Sequence, residues 1–169
     1  MTANTLERLK PGTADRSVKL DAIDRKILRG LQRDATVTIA ALADDVGLSP
    51  TPCWKRIQRL EAVGVIRKRV ALLDQDMLGI GITVFVSIQL GEHSEVEINR
   101  FAAAIGALPE VTGFFRMAGD IDYMAIVVVP DMAAYDDVYR RIIAAGNLKN
   151  VVARFALERL KSETAIPIP

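Results

Sequence analysis

Binding chemistry concentrates in one short stretch, Ser49-Pro50-Thr51-Pro52-Cys53-Trp54-Lys55-Arg56-Ile57-Gln58-Arg59-Leu60. Cys53, Ile57 and Leu60 recur at i, i+4 and i+7, which makes one apolar helical face. Thr51, Lys55, Arg56, Gln58 and Arg59 lie off that face. These are groups that hold phosphates or read base edges in a DNA major groove, Arg and Lys at guanine and Gln at adenine. Ser49 is placed to cap the helix through its hydroxyl. Pro50 falls at the first helical position, where a missing N–H costs nothing, and Pro52 is still inside the first turn. The two prolines remove backbone donors, so this helix end is a poor anion site. Recognition must then rest on side chains, including Ser49 and Thr51. Gly64 ends the helix, Arg67-Lys68-Arg69 reads as a basic turn or wing, and Val65 to Leu73 reads as a strand leading out of the domain. From Ser49 to Val70 there are six basic residues and one acid, Glu61. A merely solvated helix face is the bland alternative, but it leaves this clustering unexplained.

The elements that must position this helix precede it. A first helix is expected from about Asp21, its cap, to Arg33, with Ile23, Ile27, Leu28 and Leu31 inward. A second opens at Thr38 and carries Ile39, Leu42, Ala43 and Val46. Gly47 follows where a left-handed residue is needed, and Leu48 can fill the space between the second and third helices. Two helices, a tight glycine turn, a basic helix and a basic wing together predict a winged helix-turn-helix. Trp54 is expected to be partly buried against the domain, and Cys53 to be a buried structural thiol.

Charge is split along the chain. Residues 1–70 hold 14 Lys and Arg against 8 Asp and Glu, a net of +6, whereas residues 71–169 hold 8 against 13, a net of −5. The basic half suits a polyanion partner, and the acidic half needs another role. The single cysteine excludes an internal disulfide framework and fits a reducing cytosol. There is no apolar run of about 18 residues for a membrane span and no signal-peptide core, so the expected location is the cytoplasm.

The second half has a different rhythm. Val84, Val86, Ile88 and Leu90 alternate with Thr83, Ser87 and Gln89, as in a half-buried strand. Ser94 with Glu97 forms a capping box opening a helix that ends by Pro109. Val111 to Met117 reads as a strand, Gly119-Asp120-Ile121-Asp122 as a turn, and Tyr123 to Val129 as a central strand. Asp131 caps a second helix, and Val151 to Leu160 is the last strand. The order β-α-β-β-α-β predicts a ferredoxin-like sheet with both helices on one face. Phe85, Val128 and Phe155 argue against a solvated opposite face, which implies dimerisation through it. The expected organisation is therefore α+β. It has a flexible arm over residues 1–19, whose Arg8, Lys10, Arg16 and Lys19 could brush phosphates. A winged helix-turn-helix domain spans 20–73, a hinge 74–79, and a ligand-binding and oligomerisation domain 80–169.

Four stretches carry a resemblance: Leu20-Asp21-Ala22-Ile23-Asp24-Arg25-Lys26-Ile27-Leu28, Gly47-Leu48-Ser49-Pro50-Thr51-Pro52-Cys53, Arg59-Leu60-Glu61 with Gly64-Val65-Ile66, and Gly119-Asp120-Ile121-Asp122-Tyr123. In this order and spacing the chain resembles the Lrp/AsnC, or feast/famine, transcription regulators over residues 20–168. The resemblance implies an N-terminal domain on double-stranded DNA and a C-terminal (ACT-like) domain that binds a small amino-acid effector. It also implies homodimers that often assemble into octamers. It places the effector near Gly119, Asp120 and Asp122, with Met117 and Tyr123 as neighbours. An aspartate there could accept the effector's ammonium, and Gly119 permits close backbone approach to its carboxylate. By residue chemistry alone the same stretch reads as a plain hairpin turn. The Thr51-Pro52-Cys53-Trp54-Lys55-Arg56 and Arg116-Met117-Ala118-Gly119 stretches resemble a subgroup tied to small or sulfur-containing amino acids.

Two other readings remain. One is an architectural DNA-wrapping protein without an effector. The other is an enzyme like the sirohaem decarboxylases that share this layout. The chain has one histidine, His93, in a polar loop where it reads as simply exposed. It offers no catalytic set, no metal cluster and no cofactor motif, so the expectation is a non-enzymatic regulator with no cofactor.

Overall fold

The computed structural model describes residues 18–169, so the expected arm lies outside the described residues apart from Val18 and Lys19. The chain divides into two units. Residues 18–72 together with Lys161–Pro169 form a helical unit, and Leu73–Leu160 form a sheet unit. The last nine residues, expected with the second domain, thus fold with the first.

In the helical unit, α1 spans Ala22–Arg33. Its first turn is closed reciprocally. The Asp24 N–H donates to Asp21 Oδ1 at 2.7 Å, and the Asp21 N–H donates to Asp24 Oδ2 at 3.2 Å. Two donors that a helix start otherwise leaves unpaired are satisfied this way. The helix α2 spans Ile39–Val46, capped by the Thr38 hydroxyl, and stops at Gly47 with φ of 75°. Gly30 lets α1 and α2 approach closely, since a Cβ there would stand 2.6 Å from Leu42 Cδ1. The helix α3 spans Pro50–Ala62. Ser49 occupies its N-cap position, but its hydroxyl accepts no capping bond, contrary to expectation. Pro52 stands where the usual N3 donor would be and has no N–H to offer. Ile27, Leu42, Ala43, Cys53, Ile57 and Leu60 are buried in one core, with Leu48 and Ile168 against it.

The expected strand and wing over Val65 to Leu73 are absent among the described residues: 67–73 runs without ladder partners. The β-branched residues Val65, Ile66 and Val70 favour extension, but a strand needs a neighbour, and no described segment supplies one. At Asp74 the chain turns, with the carboxylate accepting the Asp76 and Met77 N–H groups at 2.9 and 3.1 Å.

The sheet unit contains β1 (Ile82–Leu90), α4 (Glu95–Gly106), β2 (Val111–Arg116), β3 (Tyr123–Val129), α5 (Met132–Ala144) and β4 (Leu148–Phe155). The spatial order is β2-β3-β1-β4, antiparallel throughout. This is the ferredoxin-like arrangement. Val84, Val86, Ile88, Leu90, Ala125, Val127 and Val129 meet Phe101 and Ile105 of α4 and Val138 and Ile142 of α5 in the core. Asp131 caps α5 as expected, and Ser94 caps α4, but the reciprocal half of the expected capping box does not form: the Glu97 carboxylate accepts from Arg100 Nη2 at 2.7 Å instead. The last strand begins and ends earlier than expected because its partner β1 sets its span: Phe155 pairs with Val84, and Ala156 makes a final bond to Thr83. That register places Phe155 on the helix-covered side, edge-on to Tyr135 with ring centroids 5.1 Å apart. The open face carries Phe85, Phe115, Ile126, Val128 and Val152 instead, with Phe85 and Phe115 39% and 53% exposed.

Candidate nucleic-acid interface and effector turn

The buried side of α3 fixes which residues face outward. Cys53, Ile57 and Leu60 anchor it, leaving Thr51, Trp54, Lys55, Gln58 and Arg59 exposed and Arg56 half-buried. Cys53 is fully enclosed, and burial pushes its thiol pKa up. That environment suits packing rather than thiolate chemistry. Trp54 is about half exposed.

The two arginines of α3 do not stand free. Arg56 Nη1 donates to Asp21 Oδ2 at 2.6 Å and to Asp24 Oδ1 at 2.8 Å, while Arg59 Nη2 donates to Asp24 Oδ2 at 2.5 Å. The Asp24 side chain is only 2% exposed. Burial pushes its carboxyl pKa upward, but the Asp21 N–H and the two guanidinium groups outweigh burial and hold it below its ordinary value. Asp21 is also lowered, first by the Asp24 N–H and then by Arg56. Lys19, Leu20, Asp21, Asp24, Lys55, Arg56 and Arg59 line an open cavity of about 560 Å³ beside this cluster. The capping role of Asp21 and Asp24 is readable from their positions. Their pairing with residues 32 and 35 positions away is not.

Of the other expected contact residues, Gln58 donates to Glu61 at 3.1 Å, and Arg69 donates to the other oxygen of Glu61 at 3.0 Å. Ser49, Thr51, Lys55, Arg67 and Lys68 are exposed, and no side-chain bond involves them among the described residues. The structure therefore gathers Ser49, Thr51, Lys55, Gln58 and Arg59 on one helix. Arg67, Lys68 and Arg69 trail from it without forming a hairpin.

In the sheet unit the Gly119 turn joins β2 to β3. Gly119 has φ of 133°, a region that L side chains rarely adopt, with open space where a Cβ would stand. The Met117 N–H donates to the Asp122 carbonyl at 2.8 Å, and the Asp122 N–H donates to the Ile88 carbonyl at 2.9 Å. The Asp122 carboxylate is occupied on both oxygens. Oδ2 accepts the Leu90 N–H at 2.8 Å, and Oδ1 lies 2.9 Å from His93 Nε2. Burial raises the Asp122 pKa, but the Leu90 N–H, His93 and the more distant Arg116 bring it below its ordinary value. His93 is thus exposed yet joined to the turn, and Gln89 reaches the Asp120 carbonyl. Neither is readable from sequence, because strand pairing creates both contacts. The Asp120 side chain is exposed and bonds to no described residue. Met117 is 41% exposed, whereas Tyr123 is buried and stacks on Phe114 at 5.0 Å. Tyr123 therefore borders the turn through its backbone, with its ring in the core. Among the described residues no cluster of His, Cys, Asp or Glu could hold a metal, and no helix is long and apolar enough to cross a membrane.

A basic helix presented from a glycine-turned helix pair, joined to a separate ferredoxin-like unit, defines a DNA-binding regulator with a second, sensing unit. Residues 20–61 match the AsnC-type helix-turn-helix domain and residues 83–166 the Lrp/AsnC ligand binding domain. The chain belongs to the Lrp/AsnC family of transcription regulators, which are not enzymes. It is 46% identical over 150 residues to the DNA-binding transcriptional activator DecR of Escherichia coli K12, covering 88% of this chain and 99% of that protein. The crystal structure of an AsnC family transcriptional regulator from Agrobacterium tumefaciens superposes with a TM-score of 0.85 at 51% identity, over 88% of this chain and 97% of that one. The transcriptional regulator NMB0573 of Neisseria meningitidis, solved in complex with L-Met, has a TM-score of 0.83 at 30% identity, with the same coverage.

Proposed function

We propose that α3 enters the major groove and contacts DNA through Ser49, Thr51, Lys55, Gln58 and Arg59, with Arg56 beside them and Arg67, Lys68 and Arg69 on flanking phosphates. The observation that carries this is the exposure of Thr51, Lys55 and Gln58 along one side of a helix whose other side is anchored in the core. Two copies, held together through the open sheet face and assembling further to an octamer, present two such helices to a pseudo-palindromic site. Half-sites then lie about one helical turn, roughly 34 Å, apart or at multiples of it. The working compartment is the cytoplasm, where the DNA is.

The Gly119 turn is the effector site in this reading, and Asp120 accepts the ammonium of a free amino acid. Asp122 is less suited, because both its oxygens already have partners. Met117 offers a soft, adaptable side chain at the same turn, which favours a small or sulfur-containing effector. The L-Met bound by the Neisseria relative supports that class. The test is a thermal-shift screen of the whole protein against the twenty amino acids, with each hit repeated in Asp120→Ala. Ligand at about 100 times its Kd adds roughly 2.7 kcal/mol of stability. A hit lost in the variant supports the site, and a hit retained there refutes it. If no amino acid shifts the protein while DNA still binds, a DNA-wrapping role without an effector replaces this reading.

A further inference from the structure

The segment Lys161–Pro169 lies within the helical unit, far in sequence from the helix it meets. One side chain grips its backbone at two points. Gln32 Oε1 accepts the Ile166 N–H at 2.8 Å, and Gln32 Nε2 donates to the Ile166 carbonyl at 3.0 Å. Arg29 Nη2 donates to the Ile168 carbonyl at 3.4 Å, and Arg25 Nε donates to the Pro169 carbonyl. Residues 25, 29 and 32 follow i, i+4, i+7 spacing, so they form one row along α1. Ile168 is half-buried against the core that holds Ile27 and Leu60. Pro167 and Pro169 have no N–H to satisfy and limit the backbone to extended shapes. The row of donors on α1 and the alternating Ile-Pro-Ile-Pro segment are therefore matched: the helix supplies what the segment's carbonyls need.

We propose that Lys161–Pro169 is an intramolecular strap whose seat on α1 keeps the recognition helix in its binding position. The link runs through α1 itself. Its first turn carries Asp21 and Asp24, which hold Arg56 and Arg59 of α3. Loosening α1 loosens the frame on which α3 is mounted. The segment also continues the chain from the sheet unit, so it gives the effector-binding unit a second covalent path to the helical unit beside residues 67–81. The consequence for DNA rests on the proposed role of α3; the consequence for α1 does not.

The experiment compares the full chain with Ile168→Ser, Gln32→Ala and a chain ending at Leu160. Amide hydrogen exchange and DNA binding across a salt series are the two readouts. Exchange in α1 should accelerate at least about fivefold in every variant, while β1 and β3 stay within about twofold, since local opening reports local contacts. DNA affinity should fall about three- to tenfold with the salt slope unchanged, because no phosphate contact is removed. Unchanged α1 exchange in Ile168→Ser and Gln32→Ala overturns the strap. Faster exchange with full DNA affinity overturns its role in recognition. A lower salt slope shows that the tail itself touches DNA, and likewise overturns the proposal. Failure of the full chain to bind DNA, with α1 exchange still strap-dependent, counts against the reading of α3 alone.

Discussion

Arg59 Nη2 reaches Asp24 Oδ2 at 2.5 Å across 35 residues of sequence, and that carboxylate is otherwise shut away from solvent. A recognition-helix cation is thus part of the internal frame before any DNA arrives. Arg56 completes the arrangement by bridging Asp21 and Asp24.

Asp24→Asn should destabilise the helical unit by about 1–3 kcal/mol, less than the ~3–5 kcal/mol of a fully buried broken pair because both arginines keep partial hydration. Urea unfolding of the variant against the parent measures it. The pH dependence has a definite sign. The folded-state pKa of Asp24 lies below its ordinary value of 3.8, so its contribution is complete above 3.8 and fades as pH drops through the lower folded value. The stability gap between parent and variant should therefore be flat near neutrality and close in acid. A gap that persists undiminished at about pH 2 removes the electrostatic account.

Lys55→Ala should weaken operator binding and lower the magnitude of the salt slope by about 0.9, one phosphate's worth of released counterions. Gln58→Ala should instead weaken specific binding by about 1–3 kcal/mol with little change in slope, as expected of a base reader. Fluorescence anisotropy from low to physiological salt separates the two. An unchanged slope for Lys55→Ala assigns it elsewhere than the backbone.

Gly119→Ala should cost about 1–3 kcal/mol in the sheet unit, purely from forcing a side chain to a positive φ. No neighbour is near enough to clash. Chemical unfolding would show this. A neutral substitution means the turn relaxes to an ordinary conformation.

If copies pair through the open sheet face as proposed, Val128→Glu should leave the protein monomeric, since it puts a charge on that apolar face near Phe85. Light scattering after size-exclusion chromatography reads the mass directly. An assembly of unchanged mass places the interface on another surface.

What local sequence can reveal follows physical range. The caps at Asp21, Thr38, Ser94 and Asp131 are legible because each depends on three or four consecutive residues. So is the strand and helix order of the sheet unit, whose alternation repeats along β1 and β3. Phe155 takes the face opposite to the expected one because its side is set by register against β1, not by its own neighbours. Ser49 reads as a bonding cap from its own type, yet Pro52 deprives it of its donor three residues later. The wing fails for want of a strand partner. The seat of Ile168 on α1 and the His93–Asp122 contact are invisible for the same reason as the Arg59–Asp24 pair. They join residues that only the completed fold brings together.

The prolines at the start of α3 have one more consequence. Pro50 and Pro52 each confine φ to a narrow range, so the start of α3, the end proposed to approach the groove, has little freedom to unravel in the unbound protein. Docking should then involve no folding of this segment and little loss of chain entropy. On the proposed docking of α3, the protein would meet DNA as a preformed key, and its association rate should be governed by ionic steering rather than by waiting for a helix to form.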